Sequence, residues 1–136
     1  MIKLKTSRFG ELDVEKDKVV DFPDGLIGLP DTKKFILIDH KDTPLKWLQA
    51  VDDPDIAFIV VPPDEISEGY NIDLDKKVQN YLQLDNKEDL AVLVTMRVDG
   101  EDVIANFQGP LLINAGTRKG VQVVLENTEK TFEKIG

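Results

Sequence analysis

The stretch Trp47-Leu48-Gln49-Ala50-Val51-Asp52-Asp53-Pro54-Asp55-Ile56-Ala57-Phe58-Ile59-Val60-Val61-Pro62-Pro63 decides how this chain folds. Its middle, Asp-Asp-Pro-Asp, is turn chemistry, because Asp carboxylates accept hydrogen bonds from nearby backbone N–H groups and Pro presets φ. Residues 56–61 are short, β-branched and uninterrupted, the mark of a strand with little polar face. Pro62 and Pro63 end it, since neither can donate to a ladder. Residues 46–51 and 56–61 are therefore expected as two strands joined at an acidic corner, in the middle of the core.

Outward from this hairpin the same signals repeat. Residues 2–6 alternate polar and apolar, as do 11–14, and 19–22 form a third short strand. Residues 35–39 read as a buried strand. Residues 90–98 carry the longest strand signal, Asp99-Gly100 predicts a tight turn, and 103–107 pair back. Residues 111–114 and 121–125 complete the set, and 70–72 form a further short strand. Leu74, Val78, Tyr81 and Leu82 share one face of a helix over 73–82, with Asp73 as its N-cap. Residues 126–136 are polar and expected to fray. The count is about nine short strands and one short helix. It predicts a mostly β fold, a compact antiparallel β-barrel-like single domain (a pseudobarrel) over residues 1–136. The loop Pro23-Asp24-Gly25-Leu26-Ile27-Gly28-Leu29-Pro30-Asp31 combines turn residues with three apolar side chains, which are expected to cap one end of the barrel.

Composition narrows the function. At 136 residues the chain is long enough for one hydrophobic core. A formal net charge of -9 disfavours direct binding to nucleic acid or to an anionic membrane surface, and suits a basic protein partner or simple solubility. No cysteine is present, which removes disulfides and thiolate chemistry. No apolar run approaches membrane-spanning length and the N-terminus does not read as a signal peptide, so the expected location is the cytoplasm.

Residues that carry chemistry are few. Asp52, Asp53 and Asp55 form a carboxylate cluster of the kind a metal-dependent hydrolase uses, but the spacing lacks the Gly and distal Glu of a Ca²⁺ loop and is explained as a turn. Asp73 and Asp75 fail the same pattern, since Lys76 stands where Gly is needed. His40, the one histidine, sits in a polar turn without a Ser or Asp partner. Gly109 and Gly116 lack the Gly-Lys-Ser/Thr of a phosphate loop. No metal site, cofactor or catalytic residue is expected. Trp47 and Phe58 are the informative aromatics: each is a core residue or a binding anchor. Arg118 lies in a small basic turn of an acidic chain.

Four segments carry a resemblance. They are the loop 22–31; the opening stretch 47–63; Ala105-Asn106-Phe107-Gln108-Gly109-Pro110-Leu111-Leu112-Ile113-Asn114; and Thr117-Arg118-Lys119-Gly120-Val121-Gln122-Val123-Val124-Leu125. In this order they resemble the bacterial flagellar assembly factor FliW family. Family members often finish with an Arg-His-Pro-containing tail, which residues 126–136 do not contain. The resemblance implies a non-enzymatic β-barrel with two alternative protein partners. One is flagellin, bound in the cytoplasm before export. The other is CsrA, a small basic dimer that represses translation by binding messenger RNA. Flagellin occupying this protein frees CsrA to repress; once flagellin is exported, the protein sequesters CsrA and synthesis resumes. The expected contact residues are Trp47, Leu48, Phe58 and the corner Asp52, Asp53 and Asp55, then Asn106 and Arg118. A carboxylate-based hydrolase and a structural part of the flagellum are the readings from other classes.

Overall fold

A computed structural model describes residues 2–67, 70, 72, 74–125 and 132–135, the last four by their backbone. The strands are β1 (Ile2–Thr6), β2 (Gly10–Val14), β3 (Val20–Asp21), β4 (Lys34–Asp39), β5 (Lys46–Ala50), β6 (Ala57–Val61), β7 (Leu90–Asp99), β8 (Asp102–Asn106), β9 (Leu111–Asn114), β10 (Lys119–Gln122) and β11 (Phe132–Ile135). Among the described residues one α-helix, α1 (Lys76–Tyr81), precedes β7.

The hairpin at the acidic corner is present, with Leu48 opposite Phe58 and Gln49 opposite Ala57. Around it β3-β4-β5-β6-β7 pair in turn, and β9 joins both β7 and β10, which returns to β3. Seven strands thus close a mostly β barrel, as the sequence predicts. Every barrel pairing is antiparallel except β10 with β3, where Lys119 stands opposite Asp21 in parallel. β8 and β11 extend the sheet from β7, and β1–β2 form a separate hairpin. Closure removes the exposed edges that make isolated β-sheets aggregate.

Alternation along the strands sorts the apolar residues into two clusters. Val20, Phe35, Leu48, Ala50, Val60, Leu93, Leu111 and Ile113 fill the barrel, with Phe22 and Leu26 over one end. Val61, Val94, Ala105 and Phe107 form a smaller cluster, against which Ile66 and Tyr70 pack. Phe22 and Phe35 meet edge to face at 5.6 Å.

Several elements differ from the sequence reading. The helix begins two residues later than expected: its N-cap is Asp75, whose carboxylate accepts from Val78 N–H at 2.9 Å, and Asp73 lies outside the described residues. Tyr70 and Ile72 are irregular rather than a strand, and Asn71 lies outside the described residues. β10 covers Lys119–Gln122 instead of 121–125, because its register is set by β9. Residues 126–136 were expected to fray, yet Phe132–Ile135 pair antiparallel with β8.

Candidate protein-binding face

The β7 edge shows how the face is made. Met96 stands opposite Ala105 and Leu93 opposite Leu111. Between those pairs, Val94 and Thr95 face five residues, Asn106 to Pro110, so three are extra and the strand bulges. Asn106 organises the bulge. Its Oδ1 accepts from Gln108 N–H at 3.2 Å and Gly109 N–H at 3.1 Å. Gln122 Nε2 donates to Gly109 O at 2.9 Å, and Tyr70 Oη donates to Phe107 O at 2.6 Å.

Gln122 also reaches the capping loop. Its Oε1 accepts from Ile27 N–H at 2.8 Å. Leu26 and Leu29 exchange backbone hydrogen bonds at 3.0 and 2.8 Å, which leaves Ile27-Gly28 as the tip of a two-residue turn. Gly28 has φ +86°, the left-handed position that such a turn reserves for glycine. Gly25 is at φ +67°, and a Cβ there would lie 2.4 Å from Leu29 O. The cap is as expected for Leu26, which is buried, and for Leu29, which packs against the core. It is otherwise for Ile27, which is 61% exposed.

Leu26, Ile27, Leu29, Phe58, Thr95, Asn106 and Gln122 together line a groove of about 200 Å³. Three of the four sequence segments quoted above therefore meet the Phe58 strand at one place. The loop base is braced from the side: Tyr81 Oη donates to Asp24 Oδ2 at 3.0 Å, and Lys119 Nζ lies 4.4 Å from the Tyr81 ring centre. Desolvation by burial, then the hydrogen bond to Asp24 and the charges of Asp24 and Asp21, push the Tyr81 phenol up to about 12.

The expected contact residues separate into groups. Phe58 and Asn106 line the groove. Asp52, Asp53 and Asp55 turn the chain at the same end of the barrel, where Val51 N–H bonds Lys34 O. Two of these carboxylates serve the fold: Asp53 Oδ1 accepts from Asp55 N–H at 3.0 Å, and Ser7 Oγ donates to Asp55. Gln49 Nε2 sits among the carbonyls of Ala50, Asp53, Pro54 and Ile56 at 3.1–3.4 Å, holding the corner from beneath.

Leu48 needs correction as a contact residue: it is fully buried in the barrel interior, because strand alternation turns it inward beside Phe58. Trp47 faces the other way and holds the β1–β2 hairpin. Arg8 lies 4.3 Å over its ring, Phe9 meets its edge at 5.8 Å, and Nε1–H donates to His40 Nδ1 at 3.4 Å. Arg118 sits at the opposite end, in the turn after β9. It has φ +58°, its N–H bonds Asn114 O at 2.6 Å, and its carbonyl accepts from Asp21 N–H at 2.8 Å. Sequence reasoning did not single out Ile27, Thr95 and Gln122. The available signal was an isoleucine between two glycines in a loop.

The FliW protein family model matches residues 3–134. The flagellar assembly factor FliW of Caldicellulosiruptor bescii is 35% identical over 126 residues, 91% of this chain and 83% of that protein. That of Geotalea uraniireducens is 36% identical over 133 residues, 96% and 81% of the two chains. A crystal structure of the flagellar assembly factor FliW superposes with a TM-score of 0.89 at 32% identity, covering 99% of this chain and 95% of the other. The chain belongs to the FliW family of flagellar assembly factors.

Proposed function

We propose that this chain acts by occupancy, catalysing nothing: in the cytoplasm it holds flagellin before export and, when free of it, binds CsrA and relieves repression of flagellin translation. The observation that supports this most is the fixed aliphatic tip, Ile27, beside a groove built by residues far apart in sequence. Such a surface suits a protein segment. An unassembled filament subunit has apolar terminal segments without a partner, and laying one into a groove covers both surfaces. In this reading Phe58 and Asn106 belong to the contact face, Asp52, Asp53 and Asp55 border it, and Trp47 and Arg118 act through the elements they hold.

The -9 charge supports the second half of the proposal. A protein this acidic, seated on a basic RNA-binding dimer, sets negative potential beside the RNA and repels it without covering the RNA site. The experiment is titration calorimetry of the purified chain with unpolymerised flagellin and with CsrA, followed by competition between them and by RNA release. Binding to each, with flagellin displacing CsrA, is the expected result; binding to neither overturns the proposal. Release of RNA should weaken from low to high salt while the protein complex persists.

A further inference from the structure

We infer that the capped end of the barrel, centred on Ile27 and the groove of Phe58, Thr95 and Gln122, takes a partner segment that presents an aliphatic side chain flanked by lysine or arginine. This rests on the binding reading above and names the surface and the chemistry of one occupant.

The first observation is size. At about 200 Å³ the groove is smaller than the roughly 300–1,000 Å³ typical of small-molecule sites, and it is open to a protruding side chain. The second is that Gln122 and the Asn106 oxygen are already engaged by the fold. Gln122 spends its oxygen on Ile27 N–H and its nitrogen on Gly109 O, and Asn106 Oδ1 accepts from two backbone N–H groups. The larger share of what remains uncovered is apolar, with Ile27 at the tip and the half-buried Leu29 and Phe58 below. An aliphatic occupant packs on that surface and leaves the hydrogen bonds of Gln122 and Asn106 in place.

The third observation is charge. Strand register puts the β5–β6 corner and the β7–β8 turn at the same end as the loop, because β4 starts where β5 stops and β6 starts beside the far half of β7. Asp24 and Asp31 of the loop, Asp52 and Asp55 of the corner, and Asp99 and Glu101 of the turn are all exposed there, against Lys33, Lys34, Arg97 and Arg8, the last beside Asp55. Phe58 is three residues from Asp55, or about 10 Å at ~3.3 Å per residue, comparable to the ~8–10 Å screening length at physiological salt. The border therefore favours a cationic flank on the occupant. It disfavours a second copy of this chain, which would bring the same acidic border and the same protruding Ile27 against itself.

The test uses the full chain labelled with ¹⁵N and two synthetic peptides with one Leu-Leu-Ala-Leu core, one flanked by lysines and one by glutamates. The lysine peptide should shift the amides of Ile27, Gly28, Thr95 and Gln122, with affinity falling several-fold between 50 and 300 mM salt, as expected for an attraction across about one screening length. The glutamate peptide should not bind. Ile27→Asp should weaken the lysine peptide at least tenfold with an unchanged melting temperature, and Ile27→Leu should keep it. No response, equal response to both peptides, shifts elsewhere, or undiminished binding by Ile27→Asp overturns the inference. So does self-association that Ile27→Asp abolishes, which would assign the face to a second copy. Unpolymerised flagellin and CsrA are titrated in parallel. A wild-type chain that takes the lysine peptide but neither protein removes the occupancy reading alone, and one whose binding of both survives Ile27→Asp removes this face alone.

Discussion

Gly25→Ala and Gly28→Ala, made separately, test how the exposed tip is held. Both glycines lie in the left-handed region, at φ +67° and +86°. An alanine at either pays that backbone strain, about 1–2 kcal/mol, partly offset by the ~0.4–1 kcal/mol it gains by restricting the unfolded chain. Only Gly25 is also crowded. Its added Cβ would fall 2.4 Å from Leu29 O and 2.6 Å from Pro30 C and O, whereas nothing lies within 4 Å at Gly28. The obstacles at Gly25 are main-chain atoms of the same turn, and Leu29 O is also the acceptor for Leu26 N–H. Relief therefore requires opening the turn, an overpacking cost of about 1–3 kcal/mol. The net expectation is a loss of about 2–4 kcal/mol for Gly25→Ala and about 1 kcal/mol or less for Gly28→Ala. With a urea m-value of ~2 kcal/mol/M, the midpoint of Gly25→Ala should drop by about 1–2 M and that of Gly28→Ala by under ~0.5 M. Equal midpoints for the two variants would refute the steric argument, since the backbone term is common to both.

Three further outcomes follow from the same packing. Asn114→Ala should cost about 2–4 kcal/mol in a urea melt, because Asn114 is buried and its amide donates to Leu82 O at 2.8 Å and Gln83 O at 3.2 Å while accepting from Gly116 N–H at 2.9 Å. Trp47→Ala should cost about 2 kcal/mol and speed amide exchange in β1 and β2 while leaving β9 and β10 protected, since the ring holds the hairpin through Arg8 and Phe9. Tyr70 and Tyr81 are both pushed up to about 12 by burial, so above pH ~10 the unfolded chain releases phenolic protons that the folded chain retains. Stability should therefore be full below pH ~10 and decline as pH rises towards about 12. Phenolate absorbance followed with and without denaturant checks the window; two tyrosines titrating near 10 in the folded protein would count against it.

The sequence made legible what is local or periodic. The hairpin around Asp52-Asp53-Pro54-Asp55 forms because a turn and two β-branched runs are contiguous, and β7 because ten residues continue without a breaker. Asp75 and Asp73 are equally good caps by composition. The choice falls to Asp75, whose carboxylate reaches Val78 N–H, a matter of helix phase that composition does not set. Leu48 and Trp47 are neighbours in sequence with opposite fates, because inside and outside alternate and only the barrel says which is which. The groove was least legible. Ile27 and Gln122 are 95 residues apart, and their hydrogen bond exists only after β10 has been placed by β9 and β3.

The bulge after β8 explains why the barrel has a groove at this point. A ladder continued in register from Ala105 would set a residue opposite each of Val94 and Thr95 and seal the β7 edge. Five residues replace two there, and the surplus chain is drawn aside by Asn106, by Gln122 and by Tyr70. Thr95 keeps its partner Val60 on β6 but loses a facing residue on the other edge. Gly109 sits close under both side chains, since a Cβ there would crowd Asn106 Nδ2 and Gln122 Nε2, each at 3.1 Å. The hydrogen bond that holds the surplus chain open and the one that fixes Ile27 thus belong to a single side chain, Gln122. Stabilising the bulge and presenting the aliphatic tip are coupled, and a substitution that frees one must loosen the other.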